Sequence, residues 1–242
     1  MCGSDKKENV SMKELIEAEL AVQGAGFVSF VDVTNLPRVQ TRDFPVAILI
    51  GISLTKEFVA KVTDTPDYVE RLILNKDFSS DEYLRKEQKV DGLADHIASY
   101  INRKGYSAIS QSEAANEKAG VYNEKNKTSL LPHKTIGTLA GLGWIGKNNL
   151  LITEKFGCAF CMCTVLTDAP LEANSKPPQP SHCNQCRICQ EICPTNAIKG
   201  TIWNTQASRD DLVDVEKCKT CLKCLILCPW TQKYKKGQSS SG

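Results

Sequence analysis

The chain contains no apolar run close to the roughly 20 residues that a membrane-spanning helix requires. Residues 1–9 are polar and hold no hydrophobic segment of the kind found in secretory signals. The charge is nearly balanced: 30 Lys and Arg against 28 Asp and Glu leave a formal net charge of +2. The basic footprint of a nucleic-acid-binding protein is therefore missing. These absences predict a cytoplasmic protein with no membrane partner, and they argue against nucleic acid as a partner.

Cysteine is present in unusual number, with 12 in 242 residues. Two runs, at 183–194 and 218–229, each follow the pattern Cys-x2-Cys-x2-Cys-x3-Cys-Pro. This spacing is the bacterial ferredoxin signature for a cubane [4Fe–4S] cluster. The sequence therefore predicts two such clusters.

The signature also predicts which cysteines share a cluster. The first three thiolates of a run bind one cluster, and the fourth binds the other. The predicted ligand sets are therefore crossed: Cys183, Cys186, Cys189 and Cys228 form one set, and Cys218, Cys221, Cys224 and Cys193 form the other. Zinc sites usually use paired cysteines and would not need a third at the same spacing. Disulfides would require an oxidising compartment.

The residues before these runs alternate between strand and helix patterns. A continuous apolar run at 45–54 is typical of a strand buried on both faces. The predicted strands are 27–33, 45–54, 106–110, 150–153 and 158–167, and the predicted helices are 11–24, 56–62, 66–75, 80–104 and 132–140. This alternation predicts an α/β sheet sandwiched by helices.

Two polar stretches divide the chain. The first, at 113–129, is interpreted as a solvated loop, and its length leaves open a mobile cover over a site. The second, at 174–181, is Pro-rich and is typical of a linker. The predicted domains are a cofactor-binding α/β domain over 1–173, a two-cluster ferredoxin-type domain over 182–232 and a tail over 233–242.

A glycine-rich stretch, Ala-Gly-Leu-Gly-Trp-Ile-Gly-Lys-Asn, occupies 140–148. It does not have the spacing of a P-loop, and it follows a predicted helix rather than a strand, which argues against a dinucleotide-binding loop. On its own it predicts no more than a sharp turn with a buried tryptophan.

Context gives the stretch a further meaning. The succession of AGLGWIGKNNLLIT, a strand ending in VLTDAPL, a Pro-rich linker and two cluster motifs ending in CPW resembles the epoxyqueuosine reductase family. The phrase GLGxxGxxxLLITxxxG is also similar to the reductive dehalogenases. The resemblance covers about 131–230. It implies a nitroreductase-like α/β domain that binds cobalamin, with two [4Fe–4S] clusters that feed electrons to its cobalt.

The resemblance also implies cofactor contacts. Backbone amides of the glycine loop would lie against the corrin edge, Trp144 would pack on the macrocycle, and Lys147 would bond a side arm or the nucleotide phosphate. The cofactor-binding residues predicted in this way are Gly141, Leu142, Gly143, Trp144, Gly146, Lys147, Cys161 and Cys163. A ferredoxin or flavodoxin would supply electrons, and a small molecule would be the substrate of this oxidoreductase.

Two departures from the epoxyqueuosine reductases matter. Their catalytic aspartate is missing, because the corresponding place, 109–112, reads Ile-Ser-Gln-Ser. Their C-terminal extension, which helps to hold tRNA, is also absent, so tRNA is discounted as a substrate. The catalytic candidates that remain are His133 and Gln111, with His133 either a cobalt ligand, a proton donor or a solvated residue at a helix start.

Three cysteines on the last predicted strand allow two interpretations. Cys161 and Cys163 share one face of this strand and would face a cofactor or a substrate, while Cys158 points to the other face. Equally, all three are small buried hydrophobes. The protein as a whole could instead be an electron-transfer partner that reduces a corrinoid or flavin protein, and a flavin could occupy the pocket in place of the corrin.

Overall fold

The computed structural model describes residues 10–237. Residues 1–9 and 238–242, and with them the end of the predicted tail, lie outside the described residues. The strands are β1 (Phe27–Asp32), β2 (Val46–Ser53), β3 (Ala108–Ser110), β4 (Gly143–Ile145), β5 (Leu151–Thr153) and β6 (Phe160–Thr167). The helices are α1 (Met12–Val22), α2 (Arg38–Thr41), α3 (Lys56–Thr63), α4 (Tyr68–Asn75), α5 (Glu82–Arg103), α6 (Glu113–Lys118), α7 (His133–Leu139), α8 (Ile188–Glu191), α9 (Arg209–Leu212), α10 (Lys223–Ile226) and α11 (Pro229–Lys236).

A four-stranded sheet forms the centre of the first part of the chain. Its order is β1-β2-β6-β3, and each neighbouring pair is antiparallel. Strand β2 is buried on both faces, as its continuous apolar run predicts. Where β1 pairs with β2, the ring of Phe27 lies over Gly51, and a Cβ at that glycine would stand 1.9 Å from Phe27 Cζ. Glycine is therefore required for this close approach.

Helix α5 covers one face of the sheet. Its buried residues, Val90, Leu93, Ala94, Ile97, Ala98 and Ile101, recur at helical spacing. Asp81 caps the helix by accepting a hydrogen bond from the N–H of Leu84 at 2.8 Å, and Asp81 also accepts one from the hydroxyl of Tyr68 at 2.7 Å. The start of α5 is thereby fixed, and this end of the helix borders a large cavity.

The cysteine-rich part folds back onto the sheet instead of hanging from the linker. Its last helix, α11, packs against α3, and the hydroxyl of Tyr234 donates a hydrogen bond to the carbonyl of Leu54 at 2.7 Å. The N–H of Cys158 donates to Thr231 Oγ1 at 3.0 Å. These contacts attach the cysteine-rich part to the sheet.

Two local expectations require correction. The stretch 113–129 is not wholly loop: it opens with α6, because Ser112 accepts a hydrogen bond from the N–H of Ala115 and so caps a helix. The glycine stretch is more than a turn, since Gly143 lies in strand β4, which pairs with β5. The overall prediction of a mixed α/β fold followed by a ferredoxin-like segment is confirmed. Within residues 10–237 there is no helix of the length and apolarity required to cross a bilayer.

Candidate functional site

The eight motif cysteines gather around two cavities, four at each. The first cavity is lined by Cys183, Cys186, Cys189 and Cys228. The second is lined by Cys193, Cys218, Cys221 and Cys224. The fourth cysteine of each run thus faces the cavity of the other run, as the crossed ligand sets require.

Local backbone geometry directs these thiols. Around Cys193 the chain turns so that the N–H of Ala197 donates a hydrogen bond to Cys193 Sγ at 3.2 Å. Burial raises the pKa of this thiol, but hydrogen bonds from the Thr195 backbone and hydroxyl and from the Ala197 backbone outweigh it and leave the pKa below its usual value. The backbone is therefore arranged to accept a thiolate at this position.

The gathered thiols need a positive centre in order to ionise together. Burial raises the pKa of Cys189 to about 11, and the neighbouring thiols of the first set contribute to the rise. Burial likewise raises the pKa of Cys224 to about 12, with thiols of the second set contributing. A bound metal reverses this balance, because a coordinating thiol is deprotonated outright.

Among residues 10–237, no three His, Cys, Asp or Glu side chains converge as they would around one metal ion. A mononuclear zinc site would bring four donors to a single point, whereas a cubane cluster takes its thiolates at different irons. The four motif cysteines at each cavity are the donor set that a cubane cluster requires.

Aromatic side chains flank the first cavity. Trp144 is fully buried and stacks on His182 with ring centroids 4.4 Å apart, and it meets Trp230 edge-on at 4.9 Å. His182 and Trp230 both line the cavity. In the described part of the chain, Trp144 Nε1 is one of three buried polar side-chain atoms without a partner, and Ser181 Oγ, two residues before Cys183, is another. Neither Trp144 nor Ser181 lines the first cavity itself; the aromatic contacts of Trp144 with His182 and Trp230 support its wall.

Lys147 ties the glycine loop to the first cysteine run. Its ammonium donates to the carbonyls of Asn184 at 2.8 Å and Cys186 at 3.0 Å, and its side chain is buried. A lysine charge at this cavity would offset the negative charge that four thiolates give a cluster.

The glycines of this loop permit close packing of protein on protein. A Cβ at Gly143 would lie 1.8 Å from the carbonyl oxygen of Ile152, and one at Gly146 would lie 2.4 Å from Ile152 Cδ1. A Cβ at Gly141 would lie 2.5 Å from the linker side chain of Lys176. Leu142 is half-buried beside them. Strand β5 and the linker pack closely on these glycines, which supports a packing role for the loop; the predicted corrin contacts stay a prediction.

A third and larger cavity, of about 620 Å³, lies between the first half of α5, the stretch that begins with α6, the start of α7 and β6. Its volume lies in the range of ordinary ligand pockets. The catalytic candidates Gln111 and His133 both line it. The cavity is also bordered by Tyr122, Glu124 and Ser129, so part of the stretch 113–129 lines it; a mobile cover stays a prediction.

Gln111 is held with its side-chain donor free. Its backbone N–H donates to the carbonyl of Thr164, and its backbone carbonyl accepts from Asn116 Nδ2 at 2.9 Å. The residue is 5% exposed, and its Nε2 has no partner among the described residues. An unsatisfied buried donor lining a cavity fits a ligand that offers an acceptor.

His133 is neutral at physiological pH. Its Nδ1 lies 2.9 Å from Thr164 Oγ1, and burial lowers its pKa to about 4, an effect that the nearby Asp91 only partly opposes. His133 is half-buried and bonded to Thr164, which favours a role in the cavity over the interpretation as a solvated residue at a helix start. A neutral ring in this cavity is suited to accept or donate one hydrogen bond.

Carboxylates line the same cavity, and no Lys or Arg of the described residues does so. They are Glu87, Asp91, Glu113, Glu117 and Glu124. Desolvation raises the pKa of Glu87, and the charges of Asp91 and Glu113 add to the rise, although a hydrogen bond from the Tyr83 hydroxyl opposes it. Sequence reasoning missed Glu87 and Asp91, because acidic residues on a long amphipathic helix usually mark nothing more than its solvated face.

The large cavity adjoins the second cysteine cavity. Tyr83 lines the second cysteine cavity while its neighbour Leu84 lines the large one. Lys134, which follows His133, donates to the carbonyl and side chain of Asn149 at 3.0 and 2.5 Å, and Asn149 lines the second cysteine cavity. The two spaces are thus lined by neighbouring residues at these points.

Cys161 and Cys163 lie on β6. Both are buried, and neither lines the large cavity. Cys161 Sγ lies 3.8 Å from the carbonyl of Tyr83, and burial raises the pKa of both thiols. Their placement favours the interpretation as small core residues over that as cofactor contacts.

Comparison with known proteins agrees with this geometry. A family model described as "4Fe-4S binding domain" matches residues 177–199. The epoxyqueuosine reductase of Pseudomonas aeruginosa is 30% identical over 193 residues, which are 72% of this chain and 47% of that protein. The chain thus spans about half the length of this curated relative.

Solved structures share the fold at low identity. The chain matches a structure entitled "Reductive dehalogenase structure suggests a mechanism for B12-dependent dehalogenation" with a TM-score of 0.65 and 20% identity, over 99% of this chain and 36% of that one. It also matches an epoxyqueuosine reductase solved "with a tRNA-TYR epoxyqueuosine-modified tRNA stem loop", with a TM-score of 0.53 and 14% identity, over 91% of this chain and 65% of that one. These relatives do not support the prediction that nucleic acid is an unlikely partner, and their names mention no flavin.

Proposed function

We propose, on the premise that the chain belongs with the epoxyqueuosine reductase and reductive dehalogenase-like proteins, that it is an iron–sulfur oxidoreductase. In this proposal two [4Fe–4S] clusters occupy the two cysteine cavities and deliver electrons to the large cavity. A corrinoid is the proposed electron acceptor there, and a small molecule is the proposed substrate. The single observation that carries the proposal is the division of eight cysteines into two crossed sets of four.

We infer the order of electron flow from which cavities are lined by neighbouring residues. The second cysteine cavity adjoins the large cavity through Tyr83 and through the contact of Lys134 with Asn149, so we assign the inner cluster to Cys193, Cys218, Cys221 and Cys224. The first set then holds the outer cluster, which accepts electrons from a ferredoxin or flavodoxin. Asn148 lines both cysteine cavities, so the two adjoin at its side chain.

The large cavity is the proposed site of reduction. A corrinoid, when bound, supplies a strongly reducing metal centre, and the protein positions it. Gln111 Nε2 is suited to donate to a carbonyl of an amide arm or of the substrate, and carboxylates such as Asp91 are suited to accept from amide N–H groups. Glu87, whose pKa is raised, is the carboxyl that this cavity offers for holding a proton in place of the missing aspartate.

The glycine loop receives a different role from the predicted one. The buried contacts of Trp144 and Lys147 support a function in seating the first cluster and docking the cysteine runs on the sheet. Residues 1–173 are the proposed α/β domain, of nitroreductase-like type, with 174–181 as linker and 182–232 as the two-cluster domain.

A second candidate function comes from the relatives' names. Proteins named epoxyqueuosine reductase are sequence relatives of this chain, so reduction of epoxyqueuosine in tRNA is the second substrate class. The acid-lined mouth of the cavity opposes a phosphate backbone at that point, while a single base could still enter it.

Anaerobic purification followed by iron and sulfide analysis tests the first claim, with about eight irons per chain expected from two cubanes. Corrinoid is then added, and its absorption bands and cobalt EPR signal are recorded with and without reductant. Binding in the wild type that weakens in Gln111→Ala, but not in the linker control Ser175→Ala, supports the assignment of the cavity. Four irons or fewer would overturn the cluster proposal, and full iron without corrinoid binding would leave an electron-transfer protein.

The substrate class is tested separately. Loaded protein is incubated with reductant and epoxyqueuosine-containing tRNA, and the nucleosides are analysed by mass spectrometry. Conversion to queuosine would establish the tRNA function and remove the small-molecule proposal.

A further inference from the structure

Asn148 links the two cysteine cavities through its side chain. It is 6% exposed and lines both cavities. Its Nδ2 donates a hydrogen bond to the carbonyl of Cys224 at 3.0 Å and a second one to Cys158 Sγ at 3.5 Å. Its Oδ1 accepts from the N–H of Leu150 at 3.3 Å, which fixes the amide orientation.

Cys158 continues this chain of contacts to the other cluster site. Cys158 is 3% exposed and packs in one buried cluster with Cys228, a member of the first ligand set, whose thiol it faces. Its backbone N–H is held by Thr231 Oγ1 at 3.0 Å, three residues after Cys228. Cys158 is thus fixed by its backbone on one side and by Asn148 on the other, with its sulfur against that of a cluster ligand.

The direction of the hydrogen bonds follows from the donors available. Asn148 Nδ2 can only donate, so Cys158 Sγ accepts from it. The thiol proton of Cys158 is then free to point at Cys228, whose sulfur is a thiolate acceptor when it binds iron. A hydrogen bond to a ligand sulfur stabilises the reduced cluster, which carries the extra negative charge, and so raises the reduction potential.

We propose that Cys158, oriented by Asn148, donates a hydrogen bond to the Cys228 sulfur and thereby raises the reduction potential of the first cluster relative to the second. Cys158 is thus a positioning residue for electron transfer and not a cluster ligand. The proposal rests on the proposed presence of the two clusters. It gives a role to a buried cysteine beside the clusters that lies outside the ferredoxin motifs.

The test is a potentiometric titration of the anaerobically loaded protein, followed by EPR. In Cys158→Ala we expect one of the two midpoint potentials to fall and the other to stay. The fall should correspond to at least a threefold change in the equilibrium constant of reduction, or about 28 mV, since a one-electron couple changes by about 59 mV per tenfold. Cys158→Ser keeps a donor and should retain most of the wild-type value, while Asn148→Ala should lower the same potential by a smaller amount.

Cys163→Ala is the matched control, because Cys163 is also a buried thiol outside the ferredoxin motifs, and its sulfur lies 4.0 Å from the carbonyl of Thr164 on β6. Iron analysis accompanies every variant. If wild type lacks the clusters, the proposed function fails. If Cys158→Ala and Cys158→Ser carry about eight irons and both potentials equal those of wild type and Cys163→Ala, the clusters stand and this inference is overturned. Should Cys158→Ala not load, Cys158→Ser and Asn148→Ala decide the matter by the same measurement.

Discussion

The sheet region (residues 10–173) and the cysteine region (residues 182–237) are held together by different forces. In the sheet region β2 is eight residues long and α5 has 22, and side chains such as Ile48 and Ile50 are fully buried between them. In the cysteine region α8, α9 and α10 have four residues each and their buried apolar residues are few. A segment this small cannot bury enough apolar surface to fold by itself. The sheet region is therefore stabilised by its core, whereas the cysteine region depends on docking against the sheet and on the clusters that its cysteines would hold.

The largest expected effect is therefore that of iron removal. Stripping the clusters with a chelator and an oxidant under argon should unfold the cysteine region, since metal-binding free energy is folding free energy in such segments. Hydrogen exchange should show rapid exchange at the amides of α10 while those of β2 stay protected. Restoring iron and sulfide should recover the protection. Loss of protection in both regions at once would show that the sheet region also depends on the clusters.

A substitution that creates a cavity in the sheet core should destabilise the sheet region and leave the iron content unchanged. Ile50→Ala removes a fully buried side chain from β2 and should lower the free energy of unfolding of the sheet region by about 2–5 kcal/mol. Urea unfolding of the loaded protein measures the loss, and iron content should stay that of wild type. Ile73→Ala is the control, because Ile73 is 56% exposed and should change stability by no more than about 0.5 kcal/mol.

Acidification should weaken the sheet region through His133. The pKa of His133 is about 4 in the folded protein against 6.5 when unfolded. Between these values the unfolded chain binds more protons, so stability falls as the pH is lowered from 6.5 to 4 and the loss levels off below that. The total is at most on the order of 3 kcal/mol.

The variant His133→Gln isolates this contribution. Its free energy of unfolding should depend less on pH across this window than that of wild type, so wild type should lose stability relative to the variant as the pH falls. Parallel curves throughout would mean that His133 is protonated equally in both states.

The sequence predicted the cysteine region better than its small core would suggest. The spacing of the thiols encodes the ligand sets directly, because the motif is a local pattern, and the structure brings the predicted sets together around two cavities. For the sheet region, apolar periodicity located the strands and long helices, including α5. Helix α6 was missed because its cap, Ser112, stands in a stretch whose composition is that of a loop.

The large cavity shows where sequence reasoning stops. Gln111 and His133 could be singled out by resemblance, but Glu87 and Asp91 join them only because α5 crosses the end of β6. That contact links residues far apart in the chain and leaves no local signal. The same holds for Trp144, whose partners His182 and Trp230 come from the other region.

Side-chain caps are more frequent on the helices of the sheet region than on those of the cysteine region. In the sheet region α1, α3, α5 and α6 each have a side chain that accepts from the first turn, and α2, α4 and α7 have none. In the described cysteine region α9 has one, and α8, α10 and α11 have none. Helices that fold by local and core interactions gain from a cap, while helices pinned by thiolates do not need it.

Ser11→Ala tests this interpretation, because it removes both side-chain hydrogen bonds that Ser11 makes in the capping box with Glu14. We expect a loss of about 1 kcal/mol in the free energy of unfolding of the sheet region, measured by urea unfolding and by faster exchange of the α1 amides. Ser175→Ala, at an exposed linker position, should leave the free energy of unfolding unchanged.

Ser208→Ala removes the comparable capping box of α9 and should speed exchange in α9 alone, provided that iron holds the rest of the cysteine region. An equal loss of global stability from both caps would show that the cysteine region, too, is stabilised from within its own helices.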